Sequence, residues 1–407
     1  MMRTVTKYLI IAGFQLILVS CNSNNQTHQM GTYGFDSAFF EKHNIGFLEL
    51  KSNDGMSRVL VVPAFQGRVM TSSAGGADGL SYGWINHSFI ESGRVDPQFN
   101  VYGGEERFWL GPEGGPYSIY FEPGAAQVYE NWRVPPVIDT DPFQIEQHDD
   151  RRVKFSKEAV LKNATGTEFR IGIRRTVSLL GKEEAASLFQ IDHPGQVKLV
   201  AYQTENVLIN MGDEPWTREN GLLSIWLLSM FNPSPGTIVF IPYNQDAEGV
   251  VVNDEYFGKV PADRLIADSS MVYFRIDGKY RSKIGIPPGR AKPLCGSFDP
   301  ENSVLTLLWC SLPDEPQGYV NSSWGEQDDP YSGDVINSYN DGPVEDGTIM
   351  GPFYEIETSS PAAALKPRAS ITHTQRIAHI EGEKEELDRI VRALFGIELR
   401  EIENKFK

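Results

Sequence analysis

Phe353-Tyr354-Glu355-Ile356-Glu357-Thr358-Ser359-Ser360 alternates apolar and acidic side chains, the two-residue period of a β-strand whose faces meet different surroundings. Tyr354 and Ile356 fall on one face, Glu355 and Glu357 on the other. Two acids so close either point into water or line a polar cleft, where mutual repulsion raises one pKa toward general-base use. Working outward, segments of the same kind recur along the chain as short β-branched and aromatic runs bounded by Gly, Pro, Asn and Asp. Extended segments are expected over 46–51, 58–62, 68–72, 144–148, 153–161, 169–179, 198–210, 222–230, 237–241, 271–276, 304–309, 354–358 and 370–380. That pattern suits an all-β chain folded as a two-sheet sandwich of the large kind. Helical signals are confined to two places. Asp36 is placed to cap a short helix through Lys42, and Leu387, Ile390, Val391, Leu394 and Phe395 form one apolar stripe over 384–395 that Gly396 ends.

At the N-terminus, Arg3 and Lys7 precede an apolar run from Tyr8 to Val19 that closes on Leu18-Val19-Ser20-Cys21. This is the pattern of a bacterial lipoprotein signal with its lipid-acceptor cysteine, and the run is short for a bilayer span. Residues 1–20 are therefore expected to be removed, 21–31 to form a polar tether from a lipidated Cys21, and 32–407 to form a single β-sandwich domain. Acyl chains on Cys21, at about 0.8 kcal/mol per buried CH₂, would hold the protein to a membrane. Asn22, which is not the aspartate of inner-membrane retention, points to the outer membrane, with the domain facing the periplasm.

The 407-residue chain carries a formal charge of −17, and loss of Arg3 and Lys7 makes it more negative still. Such a surface repels phosphate backbones, and Arg151-Arg152 and Arg174-Arg175 are too isolated to form a basic stripe, so nucleic acid is excluded as a partner. Cys295 and Cys310 are expected as buried free thiols: a hairpin around 298–302 would set position 295 against about 305, roughly 17 Å short of Cys310. There is no Walker A loop, H-E-x-x-H, G-x-S-x-G or nucleotide-binding G-x-G-x-x-G. The acidic loops Glu326-Gln327-Asp328-Asp329-Pro330 with Asp334, and Asn340-Asp341-Gly342 with Glu345-Asp346, offer oxygen ligands of the kind Ca²⁺ takes. Their spacing fits no EF-hand and reads as solvated turns, so no metal and no cofactor is expected.

A second acid-and-aromatic grouping is Gly103-Gly104-Glu105-Glu106-Arg107-Phe108-Trp109-Leu110-Gly111-Pro112-Glu113-Gly114-Gly115. If extended, it places Glu105, Arg107 and Trp109 on one face. Acid and guanidinium hold hydroxyls in directional bonds while an indole stacks on the C–H face of a pyranose, a set that suits a sugar. The competing reading is an internal Glu–Arg pair beside a core tryptophan.

Pro63-Ala64-Phe65-Gln66-Gly67-Arg68-Val69 resembles the turn and strand of the galactose mutarotase-like superfamily, with Gln66 standing where that family has its first glycine. Glu357-Thr358, behind an apolar residue, resembles its C-terminal strand, and 221–243 with Trp226 resembles relatives of unknown function. The whole chain is most similar to an uncharacterised family of bacterial lipoproteins with this fold. The resemblance implies a large β-supersandwich and a sugar ligand. It also implies Glu357 as catalytic base, with Glu355 and His373 beside it and Glu105, Arg107, Trp109, Arg174, Trp226 and Arg376 around the substrate. The family's acid is a histidine, yet 206–226 contains none, so the acid would come from His193, His373, Arg174 or Arg175. Three functions stay open: an epimerase-like enzyme, a non-catalytic glycan-binding lipoprotein of an uptake system, and a polysaccharide lyase or hydrolase.

Overall fold

The computed structural model describes residues 28–192, 195–315 and 317–407. Cys21, the preceding leader, most of the proposed tether and His193 lie outside the described residues. Among the described residues, no helix is long and apolar enough to cross a membrane.

Three antiparallel sheets organise the chain. The first, β1 (Leu48–Lys51), β2 (Arg58–Val62) and β3 (Arg68–Ser73), is small. After β4 (Arg107–Gly111), the strands β5 (Gln144–His148), β6 (Arg152–Lys162), β7 (Glu168–Leu179) and β8 (Lys198–Asn210) run as a meander. Then follow β9 (Ser224–Phe231), β10 (Ile238–Pro242), β11 (Leu265–Ala267), β12 (Met271–Arg275), β13 (Ser282–Ile286), β14 (Leu294–Asp299) and β15 (Val304–Cys310). The last three are β16 (Ile336–Asn340), β17 (Tyr354–Ser359) and β18 (Ser370–Glu381). The ten-stranded sheet has the order β11-β12-β10-β14-β15-β18-β8-β7-β6-β5, and the five-stranded sheet the order β13-β16-β17-β9-β4. This is a large two-sheet β-sandwich, as the strand pattern and the resemblance imply.

Alternation decides which side chains fill the gap between the sheets. Val177, Val200, Tyr202, Val239, Leu308 and Ile377 of the large sheet meet Phe108, Ile225, Leu227, Ile336, Tyr354 and Ile356 of the small one in one apolar core. The helices are α1 (Tyr33–Lys42), α2 (His87–Glu91), α3 (Pro136–Asp139), α4 (Lys182–Phe189), α5 (Lys384–Phe395) and α6 (Leu399–Asn404). Helices α4, α5 and α6 cover the outer face of the large sheet: Leu387, Ile390 and Val391 of α5 pack with Ala201, Phe240, Leu307 and Ile380. The α5 stripe and its Gly396 stop stand where the sequence places them, Gly396 with φ +71.

Several expectations are corrected. The first helix spans Tyr33–Lys42 and is capped by Thr32, whose Oγ1 accepts from the Phe35 amide. Asp36 instead is buried inside that helix, where its carboxylate accepts from Ser81 and faces His87 Nε2 at 2.7 Å. β13 and β16 lie outside the segments expected to be extended: Gly285 and the prolines after Ile286 hide a five-residue strand, and acidic turns flank the other. The 294–310 hairpin turns at 299–304, so Cys295 lies opposite Leu308 and not 305. The two thiols therefore sit near each other on one face and are both free, and burial pushes the Cys310 thiol up to about 12.

Candidate functional site

The five-stranded sheet turns its second face away from the sandwich core, and the register lays out what that face carries. One row across the strands reads Gly285, Asn337, Glu357, Leu228, Arg107. The next reads Lys283, Tyr339, Glu355, Met230, and beyond the other side lie Ser359, Trp226 and Trp109. Segments about 250 positions apart thus become neighbours: Arg107 Nη2 donates to Glu355 Oε1 at 2.9 Å across 248 residues.

Glu357 is fully buried, and its Oε2 accepts from Trp226 Nε1 at 2.9 Å and from Lys283 Nζ at 2.8 Å. Its Oε1 is also buried and has no protein partner. Glu355, two residues along, is pushed up to about 7 by burial, against the pull of Arg107 and with a further push from Glu357. Burial likewise raises the pKa of Glu113 in the loop after β4, opposed by Lys283 and reinforced by the negative charge of Glu357. The Arg107 guanidinium lies 4.2 Å over the Trp109 ring, and Trp109 meets Trp226 edge to face at 5.6 Å. Trp109 Nε1 and Arg107 Nε, like Glu357 Oε1, are buried without protein acceptors or donors. This trough on the sheet is filled by its own side chains, which leave a carboxylate oxygen and an indole N–H buried and unmatched by the protein, the inventory of a site that binds hydroxyl groups. The partly exposed Lys283, Tyr256 and Glu113 form its outer boundary.

The sequence singled out Arg107, Trp109, Trp226, Glu355 and Glu357, and the structure brings these together. Lys283 and Glu113 were missed as site residues. Glu113 stood in the quoted glycine-rich stretch, and the alternation of Ser282, Ile284 and Ile286 against Lys283 was the signal for the other.

Four expected residues lie elsewhere. Glu105 points between the sheets, where its Oε1 accepts from Ser72 Oγ at 2.7 Å and lies 3.0 Å from His379 Nε2. The reason is local: Gly103 and Gly104 have φ of +83 and +118 and the chain bends at Glu105, so regular alternation starts only at Arg107. His373 also lies between the sheets, on Thr358 Oγ1 at 2.8 Å, so the body of β17 separates it from Glu357. Burial holds its pKa down at about 3, leaving it neutral and unable to serve as a proton donor of the imidazolium kind. Arg376 projects from the opposite face of β18, over Trp309 at 4.0 Å. Arg174 is exposed and lines a hollow of about 1000 Å³ on the outer face of β5–β8, while its neighbour Arg175 points inward to Glu106 at 2.9 Å.

Fold and site together define a large two-sheet β-sandwich with an acid- and tryptophan-lined trough. Within that class, the chain belongs to the family of unknown function DUF6786, whose model matches residues 31–406. Among solved structures it is similar to the Slr1438 protein of Synechocystis sp. PCC 6803, with 13% identity over 83% of this chain and 96% of that one and a TM-score of 0.50. It also matches a galactose mutarotase-like protein from Lactobacillus casei ATCC 334, at 11% identity over 82% and 100% of the two chains and a TM-score of 0.46. A galactose mutarotase related enzyme from Lactobacillus acidophilus matches at 8% identity over 82% and 97%, with a TM-score of 0.43. No curated protein matches the sequence.

Proposed function

We propose that the protein is a lipid-anchored carbohydrate-binding protein that acts on sugars in an epimerase-like way, by proton transfer at Glu357. The observation that carries this reading is the state of the Glu357 carboxylate. One oxygen is fixed by Lys283 and Trp226, and the other is buried with no donor from the protein. A carboxylate oriented in this way is suited to take a proton from an anomeric hydroxyl. The missing histidine has two replacements close by. Glu355, with a pKa near 7, and Glu113, also raised, both hold protons at a pH where an ordinary carboxyl has lost its own. Either would donate to a ring oxygen, while Arg107 binds hydroxyls and Trp109 and Trp226 supply apolar surface for the sugar ring. The anchor is proposed at Cys21, from Leu18-Val19-Ser20-Cys21, with the domain at the outer membrane facing the periplasm.

Proton NMR of freshly dissolved α-glucose and α-galactose tests the chemistry. Anomer exchange faster than in buffer, and lost in Glu357→Gln, is the expected result; exchange no faster than in buffer across the common hexoses removes the epimerase-like reading. One observation favours the non-catalytic alternative: among the described residues no histidine hydrogen-bonds Glu355, Glu357 or Glu113. A protein that binds sugars on a glycan array, keeps that binding in Glu357→Gln and leaves anomer exchange unchanged would be such a binder.

A further inference from the structure

Aromatic rings run without a break from Glu357 to the protein surface. Trp226, which holds Glu357, contacts Trp109. Trp109 contacts Tyr120 at 5.7 Å, and Tyr120 lies nearly parallel to Trp132, 6.0 Å away at 8°. Trp132 in turn is stacked with Tyr129 at 6.2 Å and 18°, and with Trp324 at 6.3 Å and 27°. The inner rings are all buried, at 6% exposure for Trp226, 3% for Trp109, 1% for Tyr120 and 7% for Trp132, and the row opens to solvent at its outer end, Trp324 at 37% and Tyr129 at 63%.

A purely structural cluster would satisfy the N–H groups of its buried rings. Here the outer rings face water, and the indole N–H groups of Trp109 and Trp132 are both buried without an acceptor. Glu113 joins the row to the acids: its Oε1 accepts from Trp324 Nε1 at 3.2 Å, and its charge is felt by Lys283 and Glu357. Rings that present flat apolar faces beside unmatched donors suit one ligand chemistry well, a chain of pyranose units with C–H faces to stack and hydroxyls to accept.

We infer that the ligand is an oligosaccharide, with one unit at Glu357 and later units on the exposed faces of Trp324 and Tyr129, which Glu113 joins to the acids. This rests on the sugar reading of the trough and goes beyond it by assigning a chain-length preference to a defined surface. The exposed pair Tyr129 and Trp324 can be truncated without opening the core, so they make the test.

Binding is measured by calorimetry with gluco-, galacto-, manno- and xylo-oligosaccharides of one to six units. In the wild-type protein, affinity in at least one series is expected to rise about tenfold or more from one unit to three, a step of about 1.4 kcal/mol. The double variant Tyr129→Ala/Trp324→Ala is expected to lose that gain while its monosaccharide affinity changes less than about twofold. Monosaccharide binding that does not strengthen with length, or a gain that survives the double variant, overturns the inference and leaves the sugar trough standing. Failure of every sugar in the panel to bind overturns both.

Discussion

Glu355 and Glu357 occupy equivalent positions two residues apart on β17, yet they differ in what surrounds them. Glu357 accepts from an ammonium and an indole at one oxygen, whereas Glu355 has one guanidinium contact and is governed by desolvation. Because the Glu355 carboxyl rises from its ordinary 4.5 to about 7, the folded protein holds a proton there that the unfolded chain releases. This contribution to stability is fully present below about 4.5 and is lost as pH rises toward 7. Thermal unfolding followed over that window should therefore show a decline with pH that is smaller in Glu355→Gln; an identical slope in the two proteins would contradict the burial assigned to this group. Glu357→Gln keeps the shape and both donors within reach. It is expected to lower anomer exchange by about 10²-fold or more, the usual scale for a removed general base, and to lower the melting temperature because Lys283 loses its counter-charge. Alternation made the residues of the trough legible wherever the backbone is regular. It failed at Glu105, because two glycines in left-handed conformations precede that residue and turn its side chain to the opposite face.

At the scale of elements, long strands and the helix that ends at Gly396 could be read from sequence, and β13 and β16 could not. β8 has the expected bounds and β18 differs by one residue, since each is bounded by clear turn chemistry. β13 is only Ser-Lys-Ile-Gly-Ile, with a glycine inside and prolines after it, so local propensity argued against a strand that sheet pairing with β16 imposes. With β13 went Lys283, the cation that touches Glu357. The helix α5 shows how far a local signal can reach. Gly396 closes it with φ +71 and has open space where a side chain would begin, so the cost of Gly396→Ala is conformational alone. A loss of about 1 kcal/mol in chemical denaturation is expected, with sugar binding unaffected because α5 packs on the outer face of the large sheet.

Across the whole molecule, polar groups as well as apolar ones join the sheets. Arg175 of β7 and Glu106, just before β4, form a fully buried pair at 2.9 Å, with Gln375 of β18 donating to the same carboxylate at 2.7 Å. Removing one member strands the other charge in a low-dielectric interior. Arg175→Met should accordingly cost about 3–5 kcal/mol, and Glu106→Gln in the same background should restore part of it, both read by urea denaturation. A small loss in the single variant would mean that water reaches the pair. The sequence disclosed the two-sheet plan but not these long-range pairings, because periodicity reports which face a side chain takes and not what lies opposite it.

β17 and β18, the last strands to be made, lie inside their sheets and not at the edges: β17 between β16 and β9, β18 between β15 and β8. During synthesis, each sheet is therefore two separate halves until the closing segment leaves the ribosome. A nascent or truncated chain ending before Tyr354 would own every tryptophan of the trough and neither of its central acids, so the cluster is completed late and all at once, as a certificate that translation has been completed.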